Sequence, residues 1–306
     1  MTRASAIVCG GSNVDVFGFS RDQVRMADSN PGDVRTGYGG VGRNIAENLA
    51  RLGVAVSLVT AVGDDGDGRA LLRACERAGI DTSLAVTAED VPTSRYLAIL
   101  DERHDLVVAV NDMRATEALT PDALAGALDW LAATDVVVLD TNLPEPALVA
   151  IARRAGDAPL VLDTVSAPKA VRARGILAAL HTLKTNRAEA TALLGADADL
   201  EPAALVDALL EHGVRRVVVT LGAEGALAGE GAERVALPAP RVTVGNATGA
   251  GDAYTAGLAH AALDGAPLRG ALGFATALAS FAIESTSAVD PSVTLERVLS
   301  RMEVAT

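Results

Sequence analysis

Short, strongly apolar runs recur along the chain at Ala6–Cys9, Val54–Val59, Val136–Leu139, Leu160–Leu162 and Val217–Thr220, and they read as buried strands. Between them lie alanine-rich stretches such as Ile45–Leu52 and Pro202–Leu210, whose apolar positions repeat with a helical period. Strands and helices in alternation predict a mainly parallel sheet with helices on both faces, an α/β fold. Two stretches break the rhythm. Residues at about 14–37 carry few helical signals, and Ser94–Leu100 followed by Asp105–Val110 reads as two β runs across the polar turn Asp101–His104. Both are assigned to a small β lobe or lid, formed by about 14–37 and 93–112, that projects from the body as an insertion. No repeat or low-complexity linker divides the 306 residues, so one domain spanning 1–306 is expected.

Half of the residues are hydrophobic but only 3% are aromatic, so the core must be built from Ala, Val, Leu and Ile, as in sheets covered by helices. Lys and Arg number 26 against 39 Asp and Glu, a net charge of −13. A surface this acidic repels phosphate backbones and anionic lipid heads, so neither nucleic acid nor a membrane surface is an expected partner. Cys9 and Cys75 lie in separate segments without CxxC spacing, which leaves neither a zinc knuckle nor a disulfide framework. No basic segment leads into an apolar stretch at the start, and no apolar run is long enough to span a bilayer, so the expected location is the cytoplasm. The two lysines, Lys169 and Lys184, do not follow a glycine as GxxxxGK[ST] requires, which removes a P-loop NTPase. His104, His181, His212 and His260 show no ligand-pair spacing and give no support to a histidine-rich metal site.

The most informative segment is Asn246-Ala-Thr-Gly-Ala-Gly-Asp252, which leads into a helix-compatible run. Gly249, Ala250 and Gly251 let the backbone approach a ligand closely, and their amides at a helix start would form an anion hole. Asp252 at its edge is placed either to take a proton from an alcohol or simply to cap a helix after a glycine turn. A second cluster, Gly37-Tyr-Gly-Gly-Val-Gly-Arg-Asn44, lacks the GxGxxG spacing of a dinucleotide fold. Gly39, Gly40 and Asn44 either bring backbone and an amide to a hydroxylated ligand or form a tight turn into a helix. Gly10-Gly-Ser-Asn-Val-Asp15 follows the first strand, where α/β proteins place ligand groups; Asp15 there holds two adjacent hydroxyls or sits in an exposed turn. Asn186 and Glu189 share one helix face and suit Mg²⁺ with its water shell beside phosphates, or else cap the helix that they begin. Thr220-Leu-Gly-Ala-Glu-Gly225 is either a nucleotide-phosphate contact or a plain hairpin turn.

These clusters, in this order, resemble the PfkB or ribokinase-like carbohydrate kinase family over essentially the whole chain: residues 39–53 look like its first signature and 246–259 like its second. Within the family, residues 109–113, 139–145, 163–169 and 181–189 are similar to the versions found in the pseudouridine kinase subgroup. The resemblance implies a three-layer α/β/α body with a β lid, and ATP- and Mg²⁺-dependent phosphorylation of a ribose primary hydroxyl, here the 5′-hydroxyl of pseudouridine. Ribose, adenosine, another nucleoside or fructose are the alternative acceptors. By the same resemblance Asp252 is the catalytic base, and Gly249, Ala250 and Gly251 are the anion hole. Asn186 and Glu189 organise Mg²⁺ and the phosphates, with Glu189 acting through water, and Thr220, Gly222 and Gly225 contact the nucleotide. Asn13, Asp15, Gly39, Gly40 and Asn44 hold the sugar, Asn142 lies near it, and Thr93 and Asn111 face the base from the lid. The family also implies a homodimer through the lid.

Two departures stand out. Ala247 occupies the place where many members carry an Asp beside a monovalent-cation site, which puts potassium activation in question. The usual DxNxR element appears as Asp163-Thr-Val-Ser-Ala-Pro-Lys169, where Lys169 either supplies the positive charge of the Arg or is a surface lysine.

Overall fold

In the computed structural model, which describes residues 4–195, 200–245 and 248–304, the apolar runs become strands of a nine-stranded sheet. The chain opens with β1 (Ser5–Cys9), leaves the main sheet as β2 (Asn13–Ser20) and β3 (Gly32–Gly39), and returns through α1 (Val41–Arg51) to β4 (Ala55–Val59). The elements β5 (Ala61–Gly63), α2 (Gly66–Arg77), β6 (Ile80–Asp81) and β7 (Val86–Ala88) lead to a second excursion, β8 (Arg95–Leu100) and β9 (Leu106–Asp112). After α3 (Ala125–Leu131) come β10 (Val136–Asp140), α4 (Glu145–Arg154), β11 (Leu160–Asp163), α5 (Ala167–Ala170) and β12 (Thr182–Asn186). Then follow α6 (Arg187–Leu194), α7 (Pro202–Glu211), β13 (Arg216–Thr220), β14 (Ala226–Glu230) and β15 (Glu233–Leu237). Helices α8 (Ala250–Leu263), α9 (Leu268–Glu284) and α10 (Leu295–Val304) complete the chain.

The main sheet runs β15-β14-β13-β12-β11-β10-β1-β4-β6, and every pairing from β6 to β13 is parallel. Side chains alternate across a strand, so one sheet feeds two cores. Ala6, Val8, Val138 and Val218 pack with Ile45 and Leu49 of α1, Leu258 of α8 and Leu278 of α9. Ile7, Val137, Leu162 and Val217 pack with Leu131 of α3, Ile151 of α4, Leu193 of α6 and Leu209 of α7. The result is three layers, α/β/α. The alanine-rich composition lets helices approach closely: a Cβ on Gly257 in α8 would lie 2.5 Å from the Ala275 Cα of α9. Cys9 and Cys75 are buried fillers whose thiols burial pushes up, away from the reactive thiolate.

The helix expected from Ile45 begins four residues earlier, at Val41. Gly42 weakens the helical signal there but is needed: a Cβ would meet the Gly10 Cα at 2.7 Å, so helix and strand turn touch backbone to backbone. The two irregular stretches form a second sheet, β3-β2-β8-β9, in which β2 and β8 pair in parallel and the outer pairs are antiparallel. Paired residues share a face. On one face Val14 is buried against the body, while farther out Val34, Leu97, Val108 and Val110 are 74%, 43%, 50% and 62% exposed. On the other lie Asp15, Phe17, Phe19 and Tyr96, with Phe17 packed 6.3 Å from both aromatic neighbours. Among the described residues no helix is long and apolar enough to cross a membrane.

Candidate active site

From β1 the chain first builds β4 and β6 on one side and later fills the other side from β10 to β13. Beyond the C-terminal ends of β1 and β10 the connections therefore diverge and leave a crevice, the usual ligand site of an open α/β sheet. A cavity of about 260 Å³ lies there, bounded by Gly11 and Ser12 after β1, Asn142 after β10, Val165 after β11 and Asp252 in α8, with Asp15 and Tyr96 entering from the small sheet. Two roomier surface grooves, beside Asp207 and Arg234 and beside Ser5 and Trp130, contain none of the candidate residues.

Asp252 sits in the first turn of α8, whose N-cap Gly249 has φ +85°. A side chain at 249 would be strained by that φ and would strike the Ala288 carbonyl, so the turn admits only glycine. The first-turn amides of a helix have no partner within it, which makes the backbone of Ala250 and Gly251 suited to an anion. Asn44 Nδ2 donates to Asp252 Oδ2 at 2.8 Å. Burial pushes the Asp252 carboxyl up to about 7, helped by the charges of Asp163 and Asp140 and opposed by Asn44 and Lys184. It is thus poised to exchange a proton near neutral pH. The strand ends around it are wired tightly. Asp163 Oδ2 accepts from Lys184 Nζ at 3.1 Å and Thr255 Oγ1 at 2.6 Å. Asp140, pushed up to about 6 chiefly by burial, accepts from the backbone N–H of Gly11 and of Asn142, each at 2.8 Å.

Asp15 reaches the cavity from β2, and Asn13 Nδ2 donates to its Oδ1 at 2.5 Å. Burial raises its carboxyl above the usual range against the pull of Asn13 and Arg43. Gly39 does not line the cavity but makes room for Asp15, since a Cβ there would strike the carboxylate. Gly40 does line it, at φ +101°, with a Cβ position 2.5 Å from the Gly11 carbonyl. Asn142 is held by Lys169, whose Nζ donates to Oδ1 at 2.6 Å, and by Arg172, which donates to its backbone carbonyl at 2.9 Å. Lys169 itself lines the cavity and is no mere surface lysine; burial lowers its ammonium below the ordinary value.

Two expected substrate contacts fall elsewhere. Thr93 is fully buried with its hydroxyl already used, donating to Asp65 at 2.7 Å and accepting from the Gly63 N–H at 3.0 Å, so it braces the entry to β8 and does not face a ligand. Asn111 is exposed on β9, on the Tyr96 face but one strand farther from the cavity.

Asn186 and Glu189, at the β12–α6 junction, form a full capping box, and Glu189 also accepts from Thr164 Oγ1 at 2.6 Å. With these bonds in place the carboxylate is not free to coordinate directly, which fits a magnesium ion that keeps its water shell. Among the described residues no group of three or more His, Cys, Asp or Glu is arranged to hold a metal. Thr220 lies beside Asn186 on the next strand and donates to the Thr185 carbonyl at 3.2 Å. Gly222 and Gly225 shape the hairpin between β13 and β14, with φ +60° and +99°; open space surrounds Gly222, whereas a Cβ on Gly225 would strike the Leu237 carbonyl. Ala247 and Asn246 lie outside the described residues.

Sequence reasoning misses Met113, Thr116, Val165 and Lys184 as site residues, yet the first three line the cavity, and Lys184 Nζ is 2.9 Å from where a Gly251 Cβ would stand. Burial works against the Lys184 charge, but Asp163, Glu189 and Asp252 raise its pKa above the ordinary value. Lysine scarcity is the available signal: both lysines among the 26 basic residues are at this site. Val165 is a β-branched residue at φ +58°, a strained conformation of the kind that gathers at functional sites.

The pfkB family carbohydrate kinase model matches residues 4–295. The chain is 39% identical over 304 residues to a pseudouridine kinase of Escherichia coli (strain K12), covering 98% of this chain and 96% of that protein. It superimposes on a carbohydrate kinase from Agrobacterium tumefaciens with a TM-score of 0.88 at 32% identity, covering 99% of this chain and 98% of the other. Arabidopsis thaliana ribokinase complexed with ribose and ATP shares the fold, with a TM-score of 0.87 at 22% identity and 99% of each chain covered.

Proposed function

Because the chain belongs to the pfkB family of carbohydrate kinases, and so is an ATP-dependent kinase of a sugar or nucleoside, we propose that its acceptor is the 5′-hydroxyl of pseudouridine. The products are then pseudouridine 5′-phosphate and ADP. The observation that carries the transfer chemistry is Asp252, half enclosed at the cavity floor, hydrogen-bonded to Asn44 and poised near neutrality beside the first turn of α8. The subgroup rests on likeness to the pseudouridine kinase over nearly the whole of both chains.

In this reading Asp15 and Asn13 hold the ribose hydroxyls, Gly39 and Gly40 give them room, and Asn44 orients both sugar and base catalyst. Asp252 takes the 5′-hydroxyl proton as that oxygen attacks the γ-phosphorus of ATP in line; the bond to the bridging oxygen breaks and ADP leaves. The amides of Gly249, Ala250 and Gly251 stabilise the charge spread over the transferring group. Thr220, Gly222 and Gly225 hold the nucleotide, and Asn186 and Glu189 would hold, through water, a magnesium ion, which would supply charge neutralisation at the phosphates. The cavity presents amide, lysine and aliphatic groups and a single aromatic, Tyr96, which suits a polar uracil ring better than an adenine sandwich. The small sheet acts as the lid, closing over the nucleoside so that ATP is not spent on water.

A second copy of the chain is proposed to cover the exposed apolar face around Val34, Leu97, Val108 and Val110, whose strands β3 and β9 also present open edges. Val110→Lys should then give a monomer by light scattering where the parent is a dimer; an unchanged mass overturns the assignment. For the activity itself, ATP- and Mg²⁺-dependent ADP release is measured with pseudouridine, uridine, ribose, adenosine and fructose, and the product is located by NMR. Preferential 5′-phosphorylation of pseudouridine is expected, and preference for another acceptor replaces the substrate while keeping the transfer chemistry.

A further inference from the structure

Resting on the reading of Asp252 as the base, we propose that Arg43 is a positioning residue: it fixes which end of the Asn44 amide faces Asp252. A guanidinium only donates hydrogen bonds and a carboxylate only accepts them. Asn44 stands between one of each. Arg43 Nη1 donates to Asn44 Oδ1 at 2.9 Å, and Asn44 Nδ2 donates to Asp252 Oδ2 at 2.8 Å. Turned over, the amide would set oxygen against carboxylate and NH₂ against guanidinium, so Arg43 leaves it one orientation.

Arg43 is itself held. Its Nη2 pairs with Glu47 one turn later, and Glu47 Oε1 accepts from Arg51 Nη2 at 2.6 Å and from its Nε at 3.0 Å. Arg51 Nη1 in turn donates to the Pro291 carbonyl at 2.8 Å. The Arg43 and Glu47 side chains are only 12% and 8% exposed, so this ladder along one face of α1 is largely shielded from solvent screening. Arg43 does not line the cavity and acts on the reaction through Asn44.

The charged groups that face Asp252 are Asp163 and Asp140, which disfavour its ionised form, and Lys184, which favours it; the Asn44 N–H adds to Lys184. Arg43 also acts on Asp15 across the cavity. Releasing the amide therefore pushes the Asp252 carboxyl up further and leaves less of it ionised to accept the proton near neutral pH, without removing any group that touches substrate.

The test compares Arg43→Met, Arg43→Lys, Asn44→Ala and the double variant Arg43→Met/Asn44→Ala, with thermal unfolding confirming that each folds. Arg43→Met should lower kcat roughly 10-fold, the size of one charge-assisted hydrogen bond, and move the acidic limb of the kcat–pH profile to higher pH. Arg43→Lys, which keeps one donor, should recover most of the loss. In the Asn44→Ala background Arg43→Met should add nothing, because its route is gone. Additive losses, or an unmoved limb in Arg43→Met, overturn the proposal. Titration of the Asp252 carboxyl by ¹³C NMR gives the same comparison without turnover. A wild type silent on all five acceptors would remove the kinase reading, while the NMR shift in Arg43→Met, present or absent, would still decide the role of Arg43.

Discussion

Two carboxylates face one cavity from two sheets, and they are held in different ways. Asp252 stands on the three-layer body, ringed by Asn44, the Lys184–Asp163 pair and Asp140, all themselves bonded to buried partners. Asp15 stands on a strand of the small sheet, whose far side is open to solvent, and among the described residues its side chain bonds to Asn13 two residues away. Under the proposed function the difference separates labour: the body fixes the proton acceptor to within a hydrogen-bond length, whereas the small sheet offers its carboxylate on an element with one face open to solvent. Changes at Asp252 and the groups that hold it should therefore appear in kcat, and changes at Asp15 in KM.

The largest expected effect is that of Asp252→Asn, which should lower kcat by at least ~10²-fold, the usual size of general-base catalysis, while leaving nucleoside affinity nearly intact. Near-wild-type turnover in ADP release would break the comparison at its root. The same variant should be the more stable protein in alkali. A native carboxyl raised from 3.8 to about 7 contributes stability that is fully present below pH 3.8 and is lost as pH rises through 7. The amide of the variant does not titrate, so urea unfolding at pH 5 and pH 8 should show the wild type falling by about 3 kcal/mol relative to Asp252→Asn. On the small sheet, Asp15→Ala should raise KM roughly 10-fold with a much smaller change in kcat, as expected for hydrogen bonds made equally in ground and transition states. A kcat loss equal to the KM effect would join the two regions into one. The smallest effect is that of Val165→Asn, which should raise stability by about 1 kcal/mol in urea by easing a left-handed backbone, at some expense in KM because Val165 faces the ligand.

The body was legible because parallel strands buried on both faces write themselves as continuous apolar runs, as at Val136–Asp140 and Arg216–Thr220. In the small sheet β8 and β9 were legible as two β runs across a polar turn, whereas β2 and β3 were legible only as a stretch with few helical signals. Glycines marked the cavity well, because close backbone approach at Gly40 and Gly249 admits no other residue. The supporting residues were harder to see. Arg43 pairs within its own helix, with Asn44 and Glu47, and Lys184 pairs with Asp163 on the neighbouring strand, so nothing local distinguishes them from a helix arginine or a strand lysine. Thr93 misled for the opposite reason: its place in the sequence is beside the small sheet, but its hydroxyl is spent on Asp65. Position 165 carried a clue in its departure from Asn, a residue that tolerates the left-handed region, to Val, which does not.

The parallel pairing of β2 with β8 has a consequence for how the chain assembles. The small sheet is stitched from two hairpins separated by α1, β4 and α2, so neither hairpin meets the other until that stretch of the body has folded and brought the ends of its loop together. Its strands should therefore form late and be the first to exchange their amide protons, an order that hydrogen-exchange measurements check. A part of the molecule that does not form without the body between its hairpins should thereby also open at least cost, as the proposed lid would have to on every turnover.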